Sequence, residues 1–93
     1  MKTISVSKFC INYDIPQQFI DSLSKYDLVE IIEVETTKHI HIDDISRIER
    51  LMRIHFDLDV NFEGLDIINN LIDQINTLQN EVSRLKSRLE LYE

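Results

Sequence analysis

Two histidines and two glutamates are the residues of this sequence whose types and spacing could bind a metal ion. His39 and His41 fall on the same side of a strictly alternating run, and Glu33 and Glu35 can lie opposite them across a hairpin. Two imidazoles and a carboxylate are ligands that Zn²⁺ accepts. However, histidines two residues apart are a weak signal, and no cysteine lies nearby to add a ligand. A solvent-facing strand is therefore the favoured interpretation, and we predict no metal site.

The other side chains with reactive groups favour structural roles over catalysis. His55 lies within an apolar helical stripe and has no evident hydrogen-bonding partner, which is typical of a structural histidine. Cys10 lies between Phe9 and Ile11, as expected for a small core residue. No Gly-x-Ser-x-Gly elbow occurs, nothing links serine, histidine and aspartate into a triad, and the single glycine, Gly64, makes a glycine-rich phosphate loop untenable. The sequence therefore predicts neither an enzyme nor a cofactor.

Composition and charge restrict the class of protein that carries these residues. The chain has 93 residues, of which 43% are hydrophobic and 29% are charged, as expected for one globular domain. The net charge is −7, to which residues 1–45 contribute −4 and residues 46–93 contribute −3. Neither half therefore offers the cationic surface that nucleic acid requires. An acidic surface instead favours a basic protein partner.

Features of targeting and membrane insertion are not evident in the sequence. No apolar run approaches the roughly 18 residues of a membrane-spanning helix, and the N-terminus lacks the apolar region of a signal peptide. The single cysteine allows no intrachain disulfide, so nothing indicates an oxidising compartment. We therefore expect a cytoplasmic protein.

The first part of the chain predicts two short helices joined by a tight turn. Ser5 or Ser7 can cap the N-terminus of the first helix. A break precedes Pro16, which suits the first position of a second helix that runs to about Tyr26. The apolar face of this second helix consists of Phe19, Ile20 and Leu23. Two such helices resemble a helix-turn-helix.

Residues 29–42 change to a strand pattern. His39, Ile40, His41 and Ile42 alternate between polar and apolar, and an apolar run precedes them. We predict a β-hairpin, the wing of a winged helix. Ile40 and Ile42 are expected to face the core, and His39 and His41 are expected to face solvent.

Two further helices complete the predicted fold, which is mainly α. Asp43 can cap a third helix over about residues 44–57, and its apolar stripe consists of Ile45, Ile48, Leu51, Met52 and His55. Asn61 can cap a long final helix, and Gly64 is expected to let the third and final helices approach closely. A single structural domain is expected, with a winged-helix-like head over residues 1–60 and the long C-terminal helix over residues 61–93.

The final helix carries the heptad pattern of a coiled coil. Its a positions are Ile68, Ile75, Val82 and Leu89, and its d positions are Leu71, Leu78, Leu85 and Tyr92. The second half of this helix extends beyond so small a domain, so we predict a homodimer. The residues expected to form it are Leu71, Ile75, Leu78, Val82, Leu85, Leu89 and Tyr92. In a parallel pair, Glu81 would face Lys86 and Arg88 would face Glu93, so the charges favour parallel helices.

The surface of the second helix and the wing is acidic where a DNA-binding head would be basic. The residues expected to contact a basic partner are Asp21, Asp27, Glu30, Glu33 and Glu35. Arg47, Arg50 and Arg53 recur every three residues and could bind phosphates or an acidic patch. Glu49 lies four residues before Arg53, so a solvated helix face is the favoured interpretation of this stripe.

Two segments of the chain resemble the chaperone-modulator (CbpM-like) family, relatives of the MerR-type winged-helix regulators. Residues 53–68 are similar to its Asp-Leu-x-x-Asn-x-x-Gly signature, here running from Asp57 to Gly64 between the third helix and the long helix. Residues 6–10 are similar to its first helix. The order and spacing of the two segments extend the resemblance over nearly the whole chain.

The resemblance implies a function as well as a fold. Members bind the J-domain of a DnaJ-like co-chaperone and inhibit the action of this co-chaperone with a heat-shock chaperone. The heat-shock chaperone contacts a basic helix of the J-domain. MerR-type relatives also pair their long helices antiparallel, which we therefore favour despite the charge pattern. The alternative is a MerR-like winged-helix DNA-binding transcriptional regulator. Residues 24–27 lack the Arg-Tyr-Tyr type of run that follows the recognition helix in such regulators.

Overall fold

A computed structural model describes residues 2–92 and confirms a mainly α fold. The chain forms the elements β1 (Thr3–Ser5), α1 (Val6–Tyr13), α2 (Gln17–Lys25), β2 (Ile31–Val34), β3 (Thr37–His41), a 3₁₀ turn (Ile42–Asp44), α3 (Ile45–Leu58) and α4 (Phe62–Glu90). We call the part from residue 2 to residue 60 the head. At 29 residues, α4 is about 43 Å long, given a rise of about 1.5 Å per residue.

The caps of α1 and α2 set the geometry of the helix-turn-helix. Of the two serines that could cap α1, Ser5 does so, because its Oγ accepts a hydrogen bond from the Lys8 backbone N–H at 3.1 Å. Asp14 ends α1 in a left-handed conformation, with φ 54°. Pro16 is the N-cap of α2 in extended backbone, so the helix begins one residue later than predicted. The predicted apolar face of α2 is confirmed as buried.

The wing is a three-stranded antiparallel sheet in the order β1-β3-β2. The β2–β3 hairpin is confirmed, and Glu35 and Thr36 turn it with φ of 51° and 66°, as a tight two-residue hairpin turn requires. β1 was not predicted, because three residues are too few to show a strand period. Ile40 pairs with residues of both outer strands and is fully buried. The prediction for Ile42 is wrong, because it lies in the 3₁₀ turn and is 42% exposed.

Helix α3 forms the side of the head that α4 covers. Its N-cap is Asp44 rather than Asp43, because the 3₁₀ turn extends the connection from the sheet by one residue more than predicted. Asp59 ends α3 with φ 56°, again left-handed. Within the predicted stripe, Ile48 and Leu51 are buried, and the other members are partly buried. α4 adds Leu65, which is fully buried, to the same core.

The connection between α3 and α4 is fixed by two hydrogen bonds and by the small size of Gly64. Asn61 is confirmed as the N-cap of α4, since its Oδ1 accepts from the Gly64 N–H at 2.8 Å. His55 does have a partner, because its Nδ1 lies 2.7 Å from the Val60 carbonyl oxygen, to which it donates. A Cβ on Gly64 would lie 2.6 Å from Val60 Cγ1. The expected role of Gly64 between α3 and α4 is therefore wrong, and the glycine makes room for Val60 of the connection.

Candidate protein-binding surface of the head

An acidic groove opens where the end of α2, the start of β2 and the start of α3 meet. It has a volume of about 390 Å³, and its lining residues are Ser24, Asp27, Leu28, Val29, Glu30, Ile31, Asp44 and Arg47. Leu28 and Val29 are buried and anchor its floor in the core. Asp27 follows α2 in a left-handed conformation, with φ 57°, and its exposed side chain lies at the rim of the groove. Two of the five predicted contact residues, Asp27 and Glu30, are therefore brought together here.

Arg47 is the cationic side chain that lines this groove, and its guanidinium contacts other residues of the head. Its Nη1 donates to the Leu28 carbonyl oxygen at 3.4 Å and lies 4.0 Å from Asp44 Oδ1. Glu30 lies at the other rim, with Oε2 3.9 Å from His41 Nε2. Three carboxylates, those of Asp27, Glu30 and Asp44, thus line the groove with one guanidinium that is already engaged. Asp44 and Arg47 were missed as groove residues, although their i,i+3 spacing was a signal that the two side chains meet.

The other three predicted contact residues do not join the groove. Asp21 Oδ1 lies 3.3 Å from Lys38 Nζ, so a strand cation offsets its charge. Glu33 stands directly opposite Lys38 in the hairpin register, and Glu35 lies at the exposed turn. Asp21 and Glu33 therefore lie beside the same lysine of the wing, and none of these three acids lines the groove.

The arginine stripe of α3 is divided among different surroundings. Arg47 faces the groove, Arg50 is half-buried and Arg53 is exposed. Glu49, which the spacing predicted would offset Arg53, accepts a hydrogen bond from Tyr13 Oη at 3.0 Å. That bond raises the pKa of Tyr13 and connects α1 to α3. The stripe is therefore no continuous basic surface.

The histidines of β3 face away from the core as predicted, but both are partly buried rather than fully solvated. They lie on the sheet face opposite Ile40, where β1 pairs alongside them, and His39 Nδ1 is 3.1 Å from Thr3 Oγ1. The His41 side chain is only 17% exposed, and its Nδ1 is buried without a hydrogen-bond partner. Among residues 2–92, no three histidine, cysteine or acidic side chains are grouped as a metal site. Glu33 pairs with Lys38, so the supposed third ligand lies on the other face.

Cys10 lies in the core of the head, as its sequence neighbours indicated. It is 4% exposed, beside Val6 and Phe9 of the same helix. Burial, and to a smaller extent the charge of Asp21, raises the pKa of its thiol. The thiol therefore stays protonated near neutral pH, which removes its nucleophilic form.

Six of the predicted dimer residues lie on α4, Tyr92 follows its end, and together they form an apolar seam that the single chain leaves uncovered. We call these seven residues, Leu71, Ile75, Leu78, Val82, Leu85, Leu89 and Tyr92, the α4 seam. The six aliphatic members are 50–61% exposed, and Tyr92 is 85% exposed. Glu93, the expected partner of Arg88 in a parallel pair, lies outside the described residues. In the part of the chain that the structure describes, no helix has the length and apolar character needed to cross a membrane.

The helix-turn-helix, the three-stranded wing and the long final helix match a known regulatory family. A family model described as MerR HTH family regulatory protein matches residues 4–87, so the chain belongs to this family. Similar proteins include the chaperone modulatory proteins CbpM of Escherichia coli O1:K1 / APEC and of Escherichia coli O139:H28 (strain E24377A / ETEC). Each is 23% identical over 91 residues, covering 97% of this chain and 90% of the relative. The resemblance to CbpM-like proteins is thereby confirmed, and both names describe regulators.

Proposed function

We propose that this protein is a chaperone modulator that binds the J-domain of a DnaJ-like co-chaperone and inhibits its co-chaperone activity. The observation that carries the proposal is the acidic groove at the end of α2. A helix-turn-helix that reads DNA needs cations on this side to neutralise phosphates, whereas this groove sets three carboxylates against one arginine that is already bonded within the head. A basic protein surface is instead complementary to these carboxylates, and complementary electrostatic potentials speed association.

The names of the relatives support the choice of a chaperone system as the target. Proteins called chaperone modulatory proteins are similar to this chain over almost its whole length. The family resemblance implies that a heat-shock chaperone contacts the basic helix of the J-domain. A modulator whose acidic groove covers that helix competes with the chaperone directly. Asp27 and Glu30 are the residues we assign to this contact, with Asp44 beside them.

Binding of the isolated J-domain from the same organism tests the proposal. Asp27→Lys together with Glu30→Lys is expected to slow association by about tenfold or more at low salt, and to flatten its salt dependence. Asp73→Lys together with Glu90→Lys makes the same charge change on exposed positions of α4 and is the matched control. Stimulation of the chaperone's ATPase by the J-domain is expected to fall when wild-type protein is added. A wild-type protein that does not bind the J-domain at micromolar concentration would exclude this function.

The second candidate function is a DNA-binding transcriptional regulator, and the family match is the observation that favours it. The fold supplies a helix-turn-helix and a wing, which such regulators place on DNA. The charge of the surface opposes it, so we expect no sequence-specific binding at physiological salt. Titration of a genomic duplex library at low and physiological salt tests this expectation, and a specific footprint would favour the regulator.

A further inference from the structure

One cation lies in a groove whose other charged side chains are negative. Asp27, Glu30 and Asp44 line the acidic groove with Arg47, so three carboxylates and one guanidinium give it a formal charge of −2. Attraction of a basic partner, which is the proposed use of the groove, is weakened by this arginine, because like charges repel each other. Electrostatic attraction alone therefore does not account for Arg47.

Among residues 2–92, the polar contacts of the Arg47 guanidinium are made by one of its nitrogens. Nη1 lies 3.4 Å from the Leu28 carbonyl oxygen and 4.0 Å from Asp44 Oδ1. Both distances exceed the roughly 2.9–3.0 Å of an ordinary N–H···O hydrogen bond. The side chain lines the groove and is 42% exposed. Because a guanidinium has five N–H donors, most of them are left for a bound partner.

A carboxylate flanked by basic side chains is the ligand that fits these donors and their surroundings. Paired N–H···O bonds from a guanidinium to a carboxylate are among the strongest hydrogen bonds in proteins. The carboxylates of Asp27 and Glu30 would repel an isolated acidic group, so the ligand also needs cations that meet them. A DNA phosphate brings no cation of its own, so the net charge of the groove opposes it.

We infer that Arg47 determines the specificity of the groove, because it binds a carboxylate of the J-domain that lies between basic side chains and repels uniformly basic surfaces. The inference rests on the proposed function. An acidic groove by itself attracts any basic protein, and discrimination among such proteins is achieved by repulsive elements as well as attractive ones. Arg47 provides both, since its charge is favourable beside a carboxylate and unfavourable beside a lysine or an arginine.

The J-domain and a deca-lysine peptide are the two probes that test the inference, each titrated at low salt. Arg47→Gln makes the groove more acidic and is expected to bind deca-lysine about threefold or more tightly than wild type. The same variant loses the carboxylate contact and is expected to bind the J-domain about tenfold or more weakly. Arg53→Gln removes the same charge from an exposed position of α3 outside the groove. It is the matched control, expected to leave the ratio of the two affinities unchanged.

A measurement on the wild-type protein remains informative if Arg47→Gln also loosens the contact with Leu28. The Nε–H resonance of Arg47 is expected to shift, and its exchange with water to slow, when the J-domain is added. Replacing each exposed Asp and Glu of the J-domain with Asn or Gln then locates the carboxylate. One replacement is expected to weaken binding to wild type about tenfold and to have little further effect on Arg47→Gln, as for two groups in direct contact.

The outcomes separate this inference from the proposed function. Tighter binding of both probes by Arg47→Gln would mean that the arginine only offsets charge, and weaker binding of both would mean that it only maintains the shape of the groove. Either result, unchanged affinities, or a set of J-domain variants of which none couples to Arg47→Gln would overturn the inference and leave the modulator in place. Failure of the wild-type protein to bind the J-domain at micromolar concentration would overturn both.

Discussion

The head buries most of its apolar side chains, whereas the distal half of α4 leaves its apolar side chains exposed. In the head, residues of α1, α2, β3 and α3 bury one another, and the described core lies between Val6 and Leu65. Beyond Leu71, none of the other elements that the structure describes lies beside α4, and the seam is at least 50% exposed. The same helix thus belongs to the core at its start and to no core at its end.

This difference distinguishes the head, which one chain can stabilise by itself, from the distal half of α4, which needs another chain to bury its apolar side chains. Each exposed Leu, Ile or Val of the seam forgoes roughly 1.5–3 kcal/mol of burial free energy. An isolated helix depends on packing of its apolar face for most of its stability. We therefore propose that a second copy covers the α4 seam, as the heptad spacing predicted. The division of the chain at residue 60 stays a prediction.

The largest expected effect comes from charging the seam. Wild-type protein is expected to sediment as a dimer at tens of micromolar, and Leu78→Asp with Leu85→Asp is expected to sediment as a monomer. Two buried leucines replaced by carboxylates remove several kcal/mol from the interface. Equilibrium sedimentation measures the mass, and circular dichroism is expected to show lost helix content. Asn80→Asp adds charge on the opposite side of the helix and is expected to stay dimeric. A monomeric wild type would contradict the proposal.

The orientation of the two helices is a finer property of the same interface. An antiparallel pair with its two-fold axis level with Asn80 sets Leu71 against Leu89 of the partner subunit, and it aligns the other aliphatic seam residues in the same way. A parallel pair instead sets each Leu89 against its equivalent. The charge pattern favours the parallel pair, but exposed ion pairs contribute less than about 1 kcal/mol each. We expect the antiparallel pair.

Disulfide formation distinguishes the two orientations in a Cys10→Ser background. Mixing Leu71→Cys protein with Leu89→Cys protein is expected to give the mixed disulfide of an antiparallel dimer. The Leu89→Cys protein alone is expected to crosslink poorly. Ready crosslinking of Leu89→Cys with itself, and none between the two variants, would establish parallel helices instead.

A smaller effect is expected where the head and α4 join. Asn61→Ala removes the acceptor for the Gly64 N–H and is expected to destabilise the fold by about 1 kcal/mol. In a chain of this size that corresponds to a fall of about 4–8 °C in Tm. Asn61→Asp keeps a side-chain acceptor and is the matched control, expected to melt close to wild type. Equal melting temperatures for Asn61→Ala and wild type would exclude this role of the cap.

The sequence allowed the helices to be predicted better than the sheet. The 3.6-residue stripe of α3 and the heptads of α4 repeat often enough to identify long helices, and Ser5 and Asn61 are residues that favour N-caps. β1 was not predicted from the sequence, because Thr3–Ser5 forms a strand only through its pairing with β3. The same pairing covers His39, so its partial burial depends on a long-range contact that no local pattern encodes.

The candidate site could be predicted by its sign of charge but not by its shape. Asp27 was expected just after the second helix and lies there, whereas Glu30, which was assigned to the wing, lies just before β2 at the same groove. Asp44 reaches the same groove only through the packing of α3 on the hairpin, and the engagement of Arg47 with the Leu28 carbonyl is likewise tertiary. The salt bridge that offsets Asp21 also depends on the docking of the wing.

The smallest expected effect concerns a hydrogen bond that ties the end of α2 to the first turn of α4. Tyr26 Oη donates to Glu63 Oε1 at 2.8 Å. The pKa of Glu63 is lowered, first by a hydrogen bond from its own backbone N–H and second by the bond from Tyr26. The pKa of Tyr26 is raised, chiefly because its proton is held by that carboxylate.

Tyr26→Phe is therefore expected to raise the pKa of Glu63 toward its ordinary value, but not fully, because the backbone bond remains. A carboxyl whose pKa is lowered by folding contributes stability above its unfolded pKa, and this contribution is lost as the pH falls through the folded pKa. The difference in Tm between wild type and Tyr26→Phe should thus be largest near neutral pH and shrink in acid. An NMR titration of Glu63, with thermal melts over the same range, measures both quantities. Tyr92→Phe, at an exposed tyrosine of the seam, should leave the Glu63 titration unchanged. If Glu63 titrates identically in Tyr26→Phe and wild type, this hydrogen bond does not join the head to α4 in solution.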